Sequence, residues 1–217
     1  MGQHDRYRNT TWTEDIKLAF FGRLDRSRGD SSKAQYLRIQ AGYLEETGNK
    51  ELVLEALNLL DMMLKSHPDT TQFAIAHVQK ARCFEFLGNF ESAVNAYREG
   101  IEAERMYPNS RANAGLYFAW FVVRHKLKEI YDEALKILAV HEIDLSFPIE
   151  QFKFFSALAI IAFHMKRIDE AQKCAQKALK AMAKKESPFC NHRKLGLVSE
   201  PDKDIVETLT KIAHNTG

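Results

Sequence analysis

Phe90-Glu91-Ser92-Ala93 is the stretch that decides the fold, because its pattern returns as Tyr131-Asp132-Glu133-Ala134 and as Ile168-Asp169-Glu170-Ala171. In each copy a large apolar residue is followed by an acid, a polar or acidic residue, and alanine. Together with Ala56 in a weaker copy, the alanines lie 37, 41 and 37 residues apart. Self-similarity at a period of roughly 20 to 50 residues indicates a protein built from stacked copies of one unit.

The prolines mark the boundaries of this repeat. Pro68, Pro108, Pro148 and Pro188 follow one another at intervals of 40 residues, and only Pro201 falls outside the series. Because proline is excluded from helix interiors, it separates helices along the chain. The spacing therefore predicts repeating helical units of about 40 residues.

Apolar residues three and four positions apart predict two helices in each interval. The predicted pairs cover 34–45 with 52–64, 73–84 with 93–101, 118–125 with 130–138, and 152–165 with 168–183. Asp69 or Thr70 is the expected cap of the third of these helices, and Asn109 or Ser110 that of the fifth. A break is expected at Gly88-Asn89. No stretch alternates with a period of two, so no strand is predicted.

Further helices are predicted at both ends of the repeats. A capping box at 11–14 opens a helix with Ile16, Phe20 and Leu24 on one stripe, and residues 199–202 open a helix over 205–212. The irregular segment 186–198 has enough apolar residues to pack on the last repeat as a capping loop. The alternative for this segment is a binding loop.

These residues resemble the tetratricopeptide repeat over about 33–185. Ala93 with Tyr97 resembles the A-x3-F pair of that family, while Phe118 with Phe121 and Phe155 with Leu158 match its W-x2-L spacing. The family period is about 34 residues, whereas HEAT and armadillo repeats of about 40 to 47 residues are a structural alternative.

The resemblance implies an all-α fold, an α-solenoid of about four antiparallel helix pairs with capping helices at 1–30 and in 186–217. All 217 residues are expected to form one domain.

Composition limits the compartment and the partners. The 31 basic and 29 acidic residues leave a net charge of +2, too small to indicate nucleic-acid binding. Three cysteines without a C-x-x-C pattern favour a reduced, cytoplasmic protein. No uncharged run exceeds 12 residues, and residues 1–11 lack the apolar stretch of a signal peptide, so no membrane association is predicted.

The sequence carries no recognisable catalytic motif. It contains no phosphate-binding glycine loop, no H-E-x-x-H and no G-x-S-x-G. Cys190 and His192 are more readily explained as ordinary loop residues than as a nucleophile and its base. His125 and His164 end two first helices and could share a groove, where a metal or RNA role is the less favoured interpretation. We therefore predict no enzymatic activity, no cofactor and no metal.

The resemblance also implies that the first helix of each pair lines a concave groove that binds another protein. The residues that it places in the groove are Arg38, Glu45, Gln79, Arg82, Glu85, Trp120, Lys126, Lys153 and Phe163. Some members hold the C-terminal carboxylate of a chaperone with Lys, Asn and Arg. This chain has Arg38, Gly42, Gln79, Leu116 and Trp120 at those positions, so chaperone binding is not predicted.

The favoured function is a non-enzymatic adaptor or scaffold that binds a peptide segment or a folded domain. The arginines of the groove would steer an acidic partner. The alternative is a bacterial immunity-type inhibitor that neutralises a secreted toxin, suggested by the compact chain and the mixed surface charge. Single-stranded RNA binding by helical repeats is less favoured because the net charge is near zero. The oligomeric state stays open.

Overall fold

A computed structural model describes residues 7–140, 143–189 and 192–214. These residues form ten α-helices, a short 3-10 turn at Lys128–Ile130 and no strand. The helices are α1 (Glu14–Arg26), α2 (Asp30–Glu45), α3 (Lys50–Ser66), α4 (Thr70–Phe86), α5 (Phe90–Met106), α6 (Ala114–Arg124), α7 (Tyr131–Val140), α8 (Pro148–His164), α9 (Ile168–Met182) and α10 (Lys203–His214). The predicted all-α helical-repeat class is confirmed.

The chain forms two compact units, Met1–Ala114 and Gly115–Gly217, with the boundary at the start of α6. Each is described by itself, and the prediction of a single domain over the whole chain stays a prediction. In chain order, α2, α4, α6 and α8 are the first helices of the repeats, and α3, α5, α7 and α9 are the second helices.

In the first unit, successive helix pairs pack side by side. Helix α2 packs on α3, α4 packs on α5, and α4 also contacts α2 and α3. The repeat residues Ala56 and Ala93 have no exposed surface, and Tyr97 is 2% exposed. At Gly100, a Cβ atom would lie 3.5 Å from the Ala74 carbonyl oxygen, an ordinary van der Waals distance, so α5 lies close to the backbone of α4 there.

The chain start lies along α2. The Tyr7 ring stacks on Tyr36 with 3.9 Å between centroids. The buried amide of Gln40 accepts the backbone N–H of Asn9 at 3.0 Å and donates to the Asn9 carbonyl at 2.7 Å. A side-chain amide that satisfies both backbone groups of one residue holds that residue firmly. This segment therefore covers the face of α2 that carries Tyr36 and Gln40.

In the second unit, α9 packs between α8 and α10, and α7 contacts α8. The buried side of α9 consists of small residues, among them Ala171 and Ala175, both without exposed surface. Phe152 of α8 and Leu209 of α10 belong to the same core cluster. Small side chains on α9 thus let its two neighbours come close.

The turn that follows each first helix has one residue in the left-handed backbone region. These residues are Gly48, Gly88, Lys126 and Lys166, with φ of 63°, 74°, 57° and 61°. In the last three turns, the next N–H bonds to a carbonyl five residues earlier, with distances of 2.9, 3.0 and 2.9 Å: Asn89 to Phe84, Leu127 to Val122, and Arg167 to Ala162. The repeat is therefore visible in the backbone of the turns, including two positions where lysine stands in place of glycine.

Two predicted caps are wrong. Helix α1 is capped by Thr13, whose hydroxyl accepts the Ile16 N–H at 3.4 Å, and not by Thr11. Helix α6 begins only at Ala114, because the Ser110 hydroxyl bonds to α4 instead. It accepts the Ala74 N–H at 3.3 Å and donates to the Thr71 carbonyl at 3.1 Å.

The segment before α10 packs on α8, as predicted for a capping loop. The Phe189 ring stacks on Phe147 with 5.3 Å between centroids. The Gly196 carbonyl accepts the Ile149 N–H at 2.8 Å. Cys190 lies outside the described residues, so the Cys190–His192 pair stays untested.

Replacing Lys166 by glycine is expected to stabilise the protein by about 0.5–1 kcal/mol. Glycine avoids the penalty of roughly 1–2 kcal/mol that other residues have in the left-handed region. Part of this gain is lost, because glycine also increases the conformational entropy of the unfolded chain. Gly88→Ala is expected to cost about 1 kcal/mol for the same reason. Urea unfolding measures both. Lys136→Gly, in the middle of α7, is the control and should destabilise by about 1 kcal/mol. A lower urea midpoint for Lys166→Gly would contradict the strain at this turn.

Candidate functional site

In the first unit, α2 and α4 share one polar surface, which we call the first-helix surface. It is formed by Arg38, Gly42 and Glu45 of α2 and by Gln79 and Arg82 of α4. The Arg82 guanidinium donates two hydrogen bonds to the Glu45 carboxylate, at 2.6 and 2.8 Å. This fork joins the two first helices and partly neutralises the surface.

Glu45 is the more buried member of the pair. Its side chain is 13% exposed, whereas that of Arg82 is 41% exposed. Burial raises the pKa of the Glu45 carboxyl above its usual value, although Arg82 acts in the opposite direction. The charge of Arg82 is therefore committed to holding a buried carboxylate, and little of it remains to attract an acidic partner.

Arg38 is also engaged within the first unit. Its Nε donates to Oε1 of Gln72 at 2.6 Å, a bond between α2 and α4. Burial lowers the pKa of the Arg38 guanidinium. This side chain thus lies partly buried across the two helices, and its contact with Gln72 was not anticipated from the sequence.

Gln79 lies beneath the first-helix surface and is 6% exposed. Its Nε2 would be 2.9 Å from a Cβ atom at position 42, so Gly42 leaves the room that the amide occupies. Its Oε1 is buried and has no hydrogen-bond partner among the described residues. Buried polar atoms are nearly always paired, either with the protein or with an ordered water, so this acceptor has the capacity for one further hydrogen bond.

The second unit contains a cleft of about 330 Å³, which we call the Trp120 cleft. Trp120, Ile149, Phe152, Val198 and Pro201 supply its apolar lining. Arg124, Lys153, Glu200 and Asp202 supply charges of both signs. The Trp120 side chain is partly exposed, with its ring centroid 5.7 Å from that of Phe152.

The charged groups of the Trp120 cleft have contacts of their own. Arg124 Nε lies 3.3 Å from Oδ2 of Asp202. Lys153 Nζ lies 4.6 Å from the centroid of the Tyr117 ring. Because Asp202 also accepts the N–H groups of Asp204 and Ile205 at the start of α10, one wall of the cleft is fixed by the C-terminal helix.

The nine predicted groove residues thus fall into three groups. Arg38, Glu45, Gln79 and Arg82 come together on or under the first-helix surface, and Trp120 and Lys153 line the Trp120 cleft. The other three lie elsewhere. The charge of Glu85 contributes to the raised pKa of Glu45, Lys126 is in the turn beyond α6, and Phe163 near the end of α8 is 42% exposed.

His125 and His164 each lie beside an aromatic ring, and the cysteine Cys83 is buried. The His125 ring lies 4.9 Å from Phe121, and the His164 ring lies 5.2 Å from Tyr131, measured between centroids. Burial raises the pKa of the Cys83 thiol to about 12, so this thiol is not a ready nucleophile. In the part of the chain that the structure describes, no three His, Cys, Asp or Glu residues are grouped to hold a metal ion.

The comparisons with known proteins agree with the geometry of the second helix pair. A family model described as tetratricopeptide repeat matches residues 74–105, which cover most of α4 and α5. No curated protein matches the chain. None of the described helices has the length and apolar character needed to cross a membrane.

The resemblance to the tetratricopeptide repeat is therefore shown for this pair, and the class of protein that it suggests is a protein–protein interaction module. Gln79 and Arg82 lie on the first helix of the matched pair.

Arg82→Ala is expected to lower the free energy of unfolding by about 2 kcal/mol, because it leaves the Glu45 carboxylate buried without its partner. Adding Glu45→Gln should recover part of the loss, as chemical denaturation at about pH 7 would measure. The loss should shrink at a lower pH, since the raised pKa lets Glu45 take up a proton earlier than an ordinary carboxyl group, and the protonated side chain carries no unpaired charge.

An equal loss at both pH values would contradict this account. A charge-reversing substitution at Arg82 would also destabilise the fold. A loss of binding in such a variant would therefore not show that Arg82 contacts the partner.

Proposed function

We propose that this protein is a non-enzymatic interaction module that binds a segment of a partner protein on its first helices. The observation that carries the proposal is the buried, unpartnered acceptor of Gln79 on the first helix of the matched repeat. A backbone N–H or side-chain amide of the partner would supply the missing donor once the side chains that bury this oxygen move aside. Such a hydrogen bond can form with an uncharged segment of the partner as well as with a charged one.

The ionic contacts of the first-helix surface support a modest role for charge. Glu45 and Arg82 satisfy one another, and Arg38 bonds to Gln72. Recognition there would rest on hydrogen bonds and shape, with less electrostatic steering than the arginines suggest in the sequence. The Trp120 cleft would take an apolar side chain of the partner, since a partly exposed tryptophan beside charged groups is typical of binding hot spots.

Gln79→Met tests the proposal, because the substitution keeps the side-chain volume and removes both polar groups. We expect the variant to be at least as stable as the wild type, since it removes an unpaired buried acceptor. We also expect it to bind the partner roughly 10-fold more weakly. The partner would be captured from the native host, and its affinity for each variant measured by calorimetry.

Asn58→Leu is the control, because Asn58 is an exposed amide of similar size to leucine on the second helix α3, and it should leave both stability and affinity unchanged. Trp120→Ala should also weaken binding. If Gln79→Met lowers stability and leaves affinity unchanged, Gln79 has a purely structural role and the proposal fails.

The immunity-type inhibitor is a narrower form of the same proposal. It requires that the captured partner be a toxin and that co-expression with this chain suppress its toxicity. RNA binding is less supported, because Arg82 is neutralised by Glu45 and polyanion binding depends on available positive charge. A cytoplasmic location is part of the proposal and is supported by the free thiols of Cys83 and Cys174.

A further inference from the structure

A row of four lysines follows the exposed side of the last repeat. Lys173, Lys177 and Lys180 belong to α9, and Lys184 follows two residues after its end. Spacings of four and three residues place Lys173, Lys177 and Lys180 on one face of α9, and Lys184 follows four residues later, just beyond the helix end. All four side chains are exposed, and we call them the α9 lysine row.

The row carries charge that the protein itself does not neutralise. Residues 171–185 contain five lysines and no Asp or Glu. Within the described ranges, none of the four lysines forms an ion pair, whereas Arg105 pairs with Glu102 on α5 and Lys211 pairs with Glu207 on α10. On α9 itself, Asp169 and Glu170 of the first turn precede Lys173 by four and three residues, but Glu170 pairs with Arg167 at 3.7 Å and, in the described part of the chain, neither acid pairs with the row.

The contacts that the row makes are with neutral groups. Lys184 Nζ donates to Oε1 of Gln151 at 2.8 Å. Lys177 Nζ lies 5.2 Å from the centroid of the Phe155 ring. Both contacts orient the side chains toward α8 and leave their positive charge uncompensated, although like charges at this helical spacing repel each other.

We propose that the α9 lysine row binds an acidic segment of a partner protein. This surface is separate from the first-helix surface and from the Trp120 cleft. Along α9, Lys173, Lys177 and Lys180 follow one another at rises of about 6 and 4.5 Å. In an extended peptide, every second side chain is about 6.6–6.8 Å further along. Acidic residues at alternate positions of a bound segment would therefore face successive lysines.

An acidic peptide fits this surface better than a nucleic acid or a membrane. The row consists of lysine, which acts as a point charge, and lacks arginine, which bonds to phosphate groups with two donors. Binding of unpaired bases uses aromatic side chains for stacking. Membrane association requires apolar side chains beside the charges. The large apolar residue that α9 exposes is Ile168, 36% exposed at its first turn and away from the row.

The experiment measures binding of a short peptide of alternating Glu and Ser by fluorescence anisotropy at about 50 mM salt, where screening is weak. The test variant is Lys173→Gln with Lys177→Gln, Lys180→Gln and Lys184→Gln. The control variant replaces four other exposed lysines by glutamine and changes the net charge equally: Lys50, Lys65, Lys128 and Lys136. Circular dichroism verifies that both variants fold.

We expect the wild type and the control variant to bind the peptide with similar affinity. The row variant should bind at least about 10-fold more weakly, and the wild-type affinity should fall as salt is added. Gln79→Met should bind this peptide like the wild type, so failure of this proposal is distinguishable from failure of the proposed function.

Three results would overturn the proposal. Equal weakening in both lysine variants would show that binding follows net charge and not the row. Absence of binding by the wild type at low salt would show that the row is a solvated surface. Stronger row-dependent binding to single-stranded RNA, or to vesicles with phosphatidylserine, would assign the surface to a different class of partner.

Discussion

Close approach of neighbouring helices at small residues is the constraint on which the rest of this structure depends. Ala56, Ala93, Ala134 and Ala171 each have no exposed surface and recur once in every repeat. A larger side chain at any of these positions would separate the helices or create strain in the core. Helices α4 and α5 are also close at Gly100, where α5 lies against the backbone of α4. The first-helix surface of the first unit follows from this packing, since it brings the side chains of α2 and α4 within bonding distance.

On that surface, most of the ionic chemistry maintains the fold. The fork between Arg82 and Glu45 joins two helices and compensates a carboxylate that burial would otherwise penalise. Arg38 is used similarly, through Gln72. Beneath this surface, Gly42 leaves room for the amide of Gln79, whose Oε1 has no hydrogen-bond partner among the described residues. A module of this kind would distinguish partners by hydrogen-bond geometry more than by charge.

On helix α9, the side that packs in the core and the side proposed for recognition lie opposite each other. Its buried side has small residues such as Ala175 and Ala178, which leave room for α8 and α10. Its exposed side carries lysines that form no ion pair among the described residues, including Lys173 and Lys180. Because the lysines are exposed and the small residues are buried, the lysines can be replaced without disturbing the core. This separation makes the exposed side of α9 an accessible place to study partner binding in this protein.

The sequence by itself determined the helices, their order and the break at Gly88-Asn89, but not the left-handed turns at Lys126 and Lys166. These features depend on local spacing, as in the alanine of each repeat or the proline that begins α8 at Pro148. Only the tertiary structure decided that Ser110 bonds to α4 instead of capping α6, and that Arg82 meets Glu45 from 37 residues away. It also decided that Gln79 is buried. Helical periodicity fixes which residues share one face of a helix, but contacts between helices depend on how those faces pack, and no spacing along the chain records that distance.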